Sequence, residues 1–161
     1  MYLSRRSLFA GLAGTSLLGL AGCAGLTAQQ VAQKVVTDVK LIANGFAKAL
    51  PALTLPSQYA SAVARLTVYM KEVVTISSGI STSITKTAAQ PVVAHIIQDI
   101  NAALGVAAAL PLPPPIQQLL VAASILVPVL ESGVGLPVTV SASRSSMTPA
   151  QARDYLKSFK G

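Results

Sequence analysis

Acidic and imidazole side chains, which usually carry out acid–base and metal chemistry in proteins, are few in this chain. Its 161 residues include one histidine, His95, with Asp99 four positions later. On a helix this spacing brings an imidazole beside a carboxylate, as it also does in ordinary surface contacts. The other acidic residues are Asp38, Glu72, Glu131 and Asp154. We interpret the His95–Asp99 pair as a surface contact.

The sequence favours no reaction. No two acidic residues adjoin in a pattern suited to general acid–base catalysis, and one histidine cannot form a histidine-rich metal site. The chain has neither a glycine-rich phosphate loop nor a nucleophile-elbow motif. We therefore expect that the protein is not an enzyme, and that it has no metal site and no cofactor.

Cys23 is the one cysteine, and it ends an apolar segment. A lone cysteine excludes an internal disulfide and a multi-cysteine metal site. Arg5 and Arg6 precede an uncharged run, residues 7–22, in the order typical of a targeting peptide. This run is short for a membrane span, which needs about twenty residues, and its glycines weaken a helix. We predict that residues 1–22 form a cleaved signal peptide.

The end of this segment, Leu20-Ala21-Gly22-Cys23, resembles the lipobox of bacterial lipoproteins. The resemblance covers about a seventh of the chain. It implies that a peptidase cuts before Cys23 once the cysteine sulfur carries diacylglycerol, with the small residues Ala21 and Gly22 admitting the backbone to the protease. We therefore expect residues 23–26 to form a lipidated tether to a membrane, on the periplasmic side of the cell envelope.

Two features of the segment bear on export and sorting. Residues 4–9, Ser-Arg-Arg-Ser-Leu-Phe, resemble the twin-arginine export motif, although the order of Phe and Leu is reversed and the trailing Lys is absent. The general secretory route stays open as the alternative. Ala24 follows Cys23 where an Asp would retain a lipoprotein at the inner membrane of enterobacteria, and this resemblance favours the outer membrane.

The composition predicts closely packed helices. Hydrophobic residues make up 52% of the chain and aromatic residues 4%, with no Trp, so the core must come from Ala, Val, Leu and Ile. The formal net charge is +7, and it becomes +5 if Arg5 and Arg6 are removed. Because no dense Lys/Arg stripe or aromatic stacking platform accompanies this charge, we expect no nucleic-acid partner. A weak attraction to anionic lipid or cell-wall polymer suits it better.

Apolar residues at three- and four-residue spacing predict four helices. The first begins at a cap on Thr27 and ends before the prolines at 51 and 56. Ser57 is expected to cap the second, which fades near residues 77–79. An irregular Ser/Thr-rich connection then leads to a third helix with Pro91 in its first turn. The fourth is predicted from Ile116 to about Leu130, after a proline-rich stop, with Pro128 kinking or ending it.

The C-terminal part is expected to add a tail and a short helix. Residues 137–143 alternate weakly and predict an extended tail across the bundle. Thr148 and Gln151 form a capping-box pattern around Pro149, which predicts a helix to about Lys160. One face of this helix carries Ala152, Tyr155, Leu156 and Phe159. We expect the face to dock on the same domain, with a partner-binding or membrane-surface helix as the alternative.

An internal repeat suggests how the helices pair. Residues 35–39 match residues 96–100 and, after one residue is dropped, Gly45 matches Gly105. Chance similarity between two Ala/Val-rich helices is the alternative. We predict an all-α domain over residues 27–161, a four-helix bundle of two helical hairpins plus a short C-terminal helix.

No charged residue occurs between Asp99 and Glu131. Either these helices are central and well covered, or they present an apolar surface to a membrane, a partner or a bound lipid. The favoured hypothesis is a non-enzymatic structural or protein-interaction module of the cell envelope. The alternative is a protein that binds a lipid or another apolar ligand between the charge-poor helices. The residues expected to line such a pocket are Ile97, Leu104, Leu119, Leu120, Ile125 and Leu126.

Overall fold

The computed structural model describes residues 27–139 and 146–159, and within these residues the chain forms five α-helices and no strand. The helices are α1 (Ala28–Ala49), α2 (Ala60–Ser78), α3 (Lys86–Ala107), α4 (Pro114–Val134) and α5 (Pro149–Ser158). Each of the first four packs against the next, and α4 returns to α1, which closes the bundle. Helix α5 packs against α4 and α1. The prediction of an all-α bundle with a short C-terminal helix is confirmed.

Two helices begin at capping boxes that the sequence predicts. The Thr27 side chain accepts a hydrogen bond from the backbone N–H of Gln30, and the Gln30 side chain accepts one from the backbone of Thr27. Thr148 and Gln151 repeat this exchange at the start of α5, with Pro149 at the first helical position. Each box satisfies two backbone donors that the first turn would otherwise leave unpaired.

The starts of α2 and α3 differ from the prediction. Ser57 begins a short 3₁₀ turn, Ser57–Tyr59, and Tyr59 precedes α2 without a side-chain cap. Helix α3 begins at Lys86 because Thr85 caps it by accepting from the backbone N–H of Ala88. Pro91 therefore lies inside α3 rather than in its first turn. The irregular connection between α2 and α3 is confined to residues 79–85.

Helix α4 is longer at both ends than predicted. It begins at Pro114, because prolines suit the first helical positions, where their missing N–H groups would have no partner. It continues past Pro128 and ends at Gly135, whose φ of +79° is the left-handed conformation that glycine adopts readily at a helix C-terminus. Beyond it, residues 136–139 are not helical, and the rest of the predicted extended tail, residues 140–143, lies outside the described residues.

Among the described residues, α4 is the one helix long and apolar enough to cross a membrane. Core helices of soluble bundles meet the same criteria, and more than half of the apolar stretch of α4 is buried inside the protein. Its buried residues include Leu119, Leu126 and Leu130, all fully inaccessible to solvent. The stretch without charged residues after Asp99 thus includes most of a helix that lies largely in the core.

The internal repeat is only partly reflected in the packing. Residues 35–39 and 96–100 share one burial pattern, in which Asp38 and Asp99 are both buried. The match of the two glycines requires one residue to be dropped from the second unit, and because α3 is one continuous helix the loss rotates the residues that follow it. One residue turns a helix by about 100°, so Gly45 and Gly105 lie on different faces. A Cβ on Gly45 would lie 2.7 Å from Leu119 Cδ1, whereas one on Gly105 would meet nothing within 4 Å.

This contrast predicts opposite effects of alanine at the two glycines. Gly105→Ala should raise the free energy of unfolding by about 0.5–1 kcal/mol, because alanine favours a helix over glycine and the space is open. Gly45→Ala should gain less or lose stability, since its Cβ must displace the buried Leu119 side chain. Urea denaturation followed by circular dichroism measures both. Equal stabilisation by the two substitutions would contradict the packing described.

Candidate functional site

The sequence predicts lipid attachment at Cys23, and this segment lies outside the described residues. So do the signal-recognition residues Arg5, Arg6, Leu20, Ala21 and Gly22. What the structure describes is the start of the bundle, where Thr27 caps α1. Thr27 follows Cys23 by four positions, and a fully extended chain of that length spans at most about 14 Å.

The six residues predicted to line an apolar pocket lie in or against the hydrophobic core. Four are buried core residues, namely Ile97, Leu119, Leu120 and Leu126. Leu104 and Ile125 are partly buried and pack against that core. An open surface depression lies elsewhere, along α5, and is lined by Ser146, Met147, Gln151, Asp154, Tyr155 and Ser158. The apolar ligand pocket therefore stays a prediction.

A cluster of ionisable groups lies between α2 and α3. His95 and Asp99 are one helical turn apart on α3, and His95 Nε2 lies 3.8 Å from Asp99 Oδ2. Glu72 reaches the same place from α2, with its Oε1 3.3 Å from His95 Nε2. The four-residue spacing indicated the first contact, whereas the contribution of Glu72 depends on how two helices pack. The side chains of His95 and Glu72 are about half exposed, and that of Asp99 is buried.

Asp99 is the unusual member of this cluster. Its Oδ2 is inaccessible to solvent and accepts no hydrogen bond from the described residues. Burial raises the pKa of the Asp99 carboxyl above its ordinary value, and the negative charge of Glu72 raises it further, while the neighbouring His95 opposes both effects. A buried polar group without a partner usually costs about 1–3 kcal/mol, and more when it is charged. The nearest group that could donate to this oxygen is the His95 imidazole, whose Nε2 at 3.8 Å is too far for a hydrogen bond.

Asp38, at the matching position of the repeat, has the partner that Asp99 lacks. Arg153 of α5 donates to it from Nε and from a terminal nitrogen, both at 2.7 Å. The hydrogen bond to Asp38 raises the pKa of Arg153 above its ordinary value, burial opposes this, and the charge of Asp38 adds to it. Such two-point contacts are among the stronger ion pairs in proteins. One buried aspartate is therefore neutralised within the chain, and the described residues provide no lysine or arginine partner for the other.

The α2–α3 cluster has a donor set that suits a cation. One atom each from Glu72, His95 and Asp99 lie within 4.8 Å of one another. An imidazole nitrogen with two carboxylate oxygens is a ligand combination found for divalent metal ions.

Helix α5 is held on the bundle by hydrogen bonds as well as by apolar contacts. Besides the Arg153–Asp38 contact, Lys48 Nζ donates to the Phe159 carbonyl at 3.0 Å and the Tyr155 hydroxyl donates to the Pro115 carbonyl at 2.9 Å. On the predicted apolar face, Ala152, Leu156 and Phe159 are buried and Tyr155 is partly buried. The helix thus packs on its own domain rather than standing free.

No protein-family model, curated protein or solved structure matches this chain. Its function is therefore inferred from its own residues and their geometry. The segment ending in Cys23 bears on that function, and the cluster between α2 and α3 bears separately on ion binding.

Proposed function

We propose that this chain is a bacterial cell-envelope lipoprotein whose helical bundle is a non-enzymatic structural or protein-interaction module. In this proposal residues 1–22 are removed, Cys23 carries the lipid, and the bundle lies on the periplasmic side of the membrane. The observation that carries it is the lipobox-like sequence at residues 20–23, directly before a folded domain that begins at Thr27.

The short tether supports a role at the membrane surface. A lipid on Cys23 would keep the start of α1 within about 14 Å of the modified residue. A bundle held so closely meets partners at the membrane rather than across the periplasm. The net charge of +5 without residues 1–22 suits a surface rich in anionic lipid or cell-wall polymer. Ala24 favours the outer membrane as the place of attachment.

The burial of the charge-poor helices supports the module over the ligand-binding alternative. The residues expected to line an apolar pocket are packed in the core or against it. Burial between α3 and α4 explains their apolar character without a ligand. Binding of a lipid or another apolar molecule remains the second candidate only on the basis of the sequence.

The anchor is tested by Cys23→Ser in the full-length precursor, expressed in a bacterium fed a labelled fatty acid. The wild-type protein should carry the label and begin at Cys23, and the variant should carry none because serine has no sulfur to accept the lipid. Labelling and intact mass are the readouts, since an uncleaved variant would stay at the membrane through its apolar segment. A wild-type protein that begins at Met1 without acyl chains would overturn the proposal.

The module is tested by what copurifies with the protein from detergent-solubilised envelopes, identified by mass spectrometry. An envelope protein recovered with the wild type and lost with the Cys23→Ser variant would support an interaction module at the membrane. An apolar molecule recovered in amounts equal to the protein would instead support the alternative. Leu119→Ala, which shortens a proposed pocket residue, would then reduce its recovery.

A further inference from the structure

We propose that Glu72, His95 and Asp99 form a binding site for a divalent transition-metal ion of the Zn²⁺ class, which links α2 to α3. The site is independent of the lipid anchor. It uses three side chains from two helices, with one ligand atom from each. It departs from the sequence-based expectation that the protein has no metal site, which considered histidine-rich and multi-cysteine sites.

The distance between His95 and Glu72 suits such an ion as it stands, and that between His95 and Asp99 is slightly longer. Zinc binds imidazole nitrogen and carboxylate oxygen at about 2.0–2.2 Å, so two tetrahedral ligands lie roughly 3.3–3.6 Å apart. His95 Nε2 lies 3.3 Å from Glu72 Oε1 and 3.8 Å from Asp99 Oδ2. All three ligand atoms lie within 4.8 Å of one another. Because Glu72 and His95 are about half exposed, small rotations of their side chains can complete the geometry around the fixed Asp99.

The second argument is the buried oxygen of Asp99. Its side chain is 8% exposed, and Oδ2, the oxygen nearer His95, has no hydrogen-bond partner among the described residues. A carboxylate in that position requires a proton, a donor or a cation. At Asp38 the chain supplies the cation itself through Arg153. At Asp99 it supplies instead a second carboxylate and an imidazole, which binds a metal ion in its neutral form, so that the three groups together can attract a cation.

The ion would connect the two helical hairpins of the bundle. Glu72 belongs to α2 in the first hairpin, and His95 and Asp99 belong to α3 in the second. Three protein ligands would leave one tetrahedral position for a water molecule, since Glu72 and His95 are partly exposed to solvent. A bound ion would therefore hold the two hairpins together. An ion bound to the folded state alone stabilises it in proportion to the ion concentration.

The test is a calorimetric titration of the purified, untagged protein with Zn²⁺ after treatment with a chelator. We expect saturable binding of one ion per chain and a rise in the unfolding temperature as Zn²⁺ increases. Co²⁺ in the same site should give visible absorption bands typical of a four-coordinate ion. His95→Gln and Asp99→Asn should each weaken binding by at least the tenfold, roughly, that loss of an outer-shell partner costs, because each removes a ligand itself. The control is Asp154→Asn, which removes an exposed carboxylate elsewhere and should leave affinity unchanged.

Two further variants keep the test decisive. His95→Lys removes the ligand but supplies a cation four residues before Asp99, the spacing that Lys34 and Asp38 have in the first repeat. It should fold, lose Zn²⁺ binding and lose the Zn²⁺-dependent rise in unfolding temperature. Cys23→Ser removes the one thiol and should bind Zn²⁺ as the wild type does. No saturable binding by the wild type, or equal affinity in the wild type, His95→Lys and Asp99→Asn, would overturn the proposal.

Discussion

Arg153→Ala should lower the free energy of unfolding by about 2–3 kcal/mol. The Asp38 side chain is 6% exposed, and Arg153 forms both of its close charged contacts at 2.7 Å. Removing one partner of a buried ion pair costs about 3–5 kcal/mol, because the other charge stays buried without compensation. The expected effect is smaller here, since about a third of the Arg153 side chain is exposed and solvent screens the contact.

Urea denaturation of the purified protein measures this loss. Asp38→Asn combined with Arg153→Ala should be more stable than Arg153→Ala alone, because the uncompensated charge is removed. The control is Lys157→Ala, which disrupts the exposed 3.9 Å contact with Asp154 and should leave stability unchanged within error. A loss no larger for Arg153→Ala than for Lys157→Ala would show that the pair does not hold α5 in place.

Arg153→Ala should destabilise α5 more than it destabilises the other four helices. This ten-residue helix is attached through Arg153, Lys48 and Tyr155, and through a small apolar face. Short helices depend on such tertiary contacts, since they are marginal in isolation. Amide hydrogen exchange in Arg153→Ala should therefore accelerate across α5 before it does so in α1–α4. Uniform acceleration across all five helices would mean that α5 and the bundle unfold as one unit.

Local signals in the sequence predicted local structure well. The caps at Thr27 and Thr148 were identified because the stabilising partner lies three residues away in each case. The start of α3 was missed because Thr85 lies in a stretch dense in Ser and Thr, whose hydroxyls usually favour non-helical backbone. Pro114 and Pro115 suggested an extended stop, yet the first helical turn accepts prolines.

Contacts between residues far apart in the sequence could not be predicted from it. His95 and Asp99 lie on one helix, so their spacing sufficed to pair them. Glu72 joins them from α2 through the packing angle of two helices, which no periodicity in one sequence encodes. Arg153 and Asp38 are 115 residues apart, and neither was predicted to have a charged partner. The surroundings of the buried Asp38 and Asp99 are thus set by tertiary structure.

Gly133→Ala should destabilise the protein by about 1–3 kcal/mol, although alanine is the better helix former. Gly133 lies near the end of α4, where a Cβ would come within 2.3 Å of Val35 Cγ2 on α1. Real Cβ atoms essentially never approach another heavy atom so closely, so a side chain or a helix must move. Val35 is β-branched and buried, which leaves it few rotamers to escape the clash. Overpacking of this kind typically costs more than the helix propensity gained.

A double-mutant cycle with Val35→Ala identifies the cause of this loss. Val35→Ala removes the methyl groups that Gly133→Ala would strike, so the double variant should be more stable than the sum of the single effects allows. We expect a coupling energy of at least about 1 kcal/mol, the range found for residues in contact. Additive effects would mean that α1 and α4 do not approach as closely as described. Because this close approach closes the bundle, additivity would also weaken the inference that the charge-poor α4 is buried rather than available to a partner.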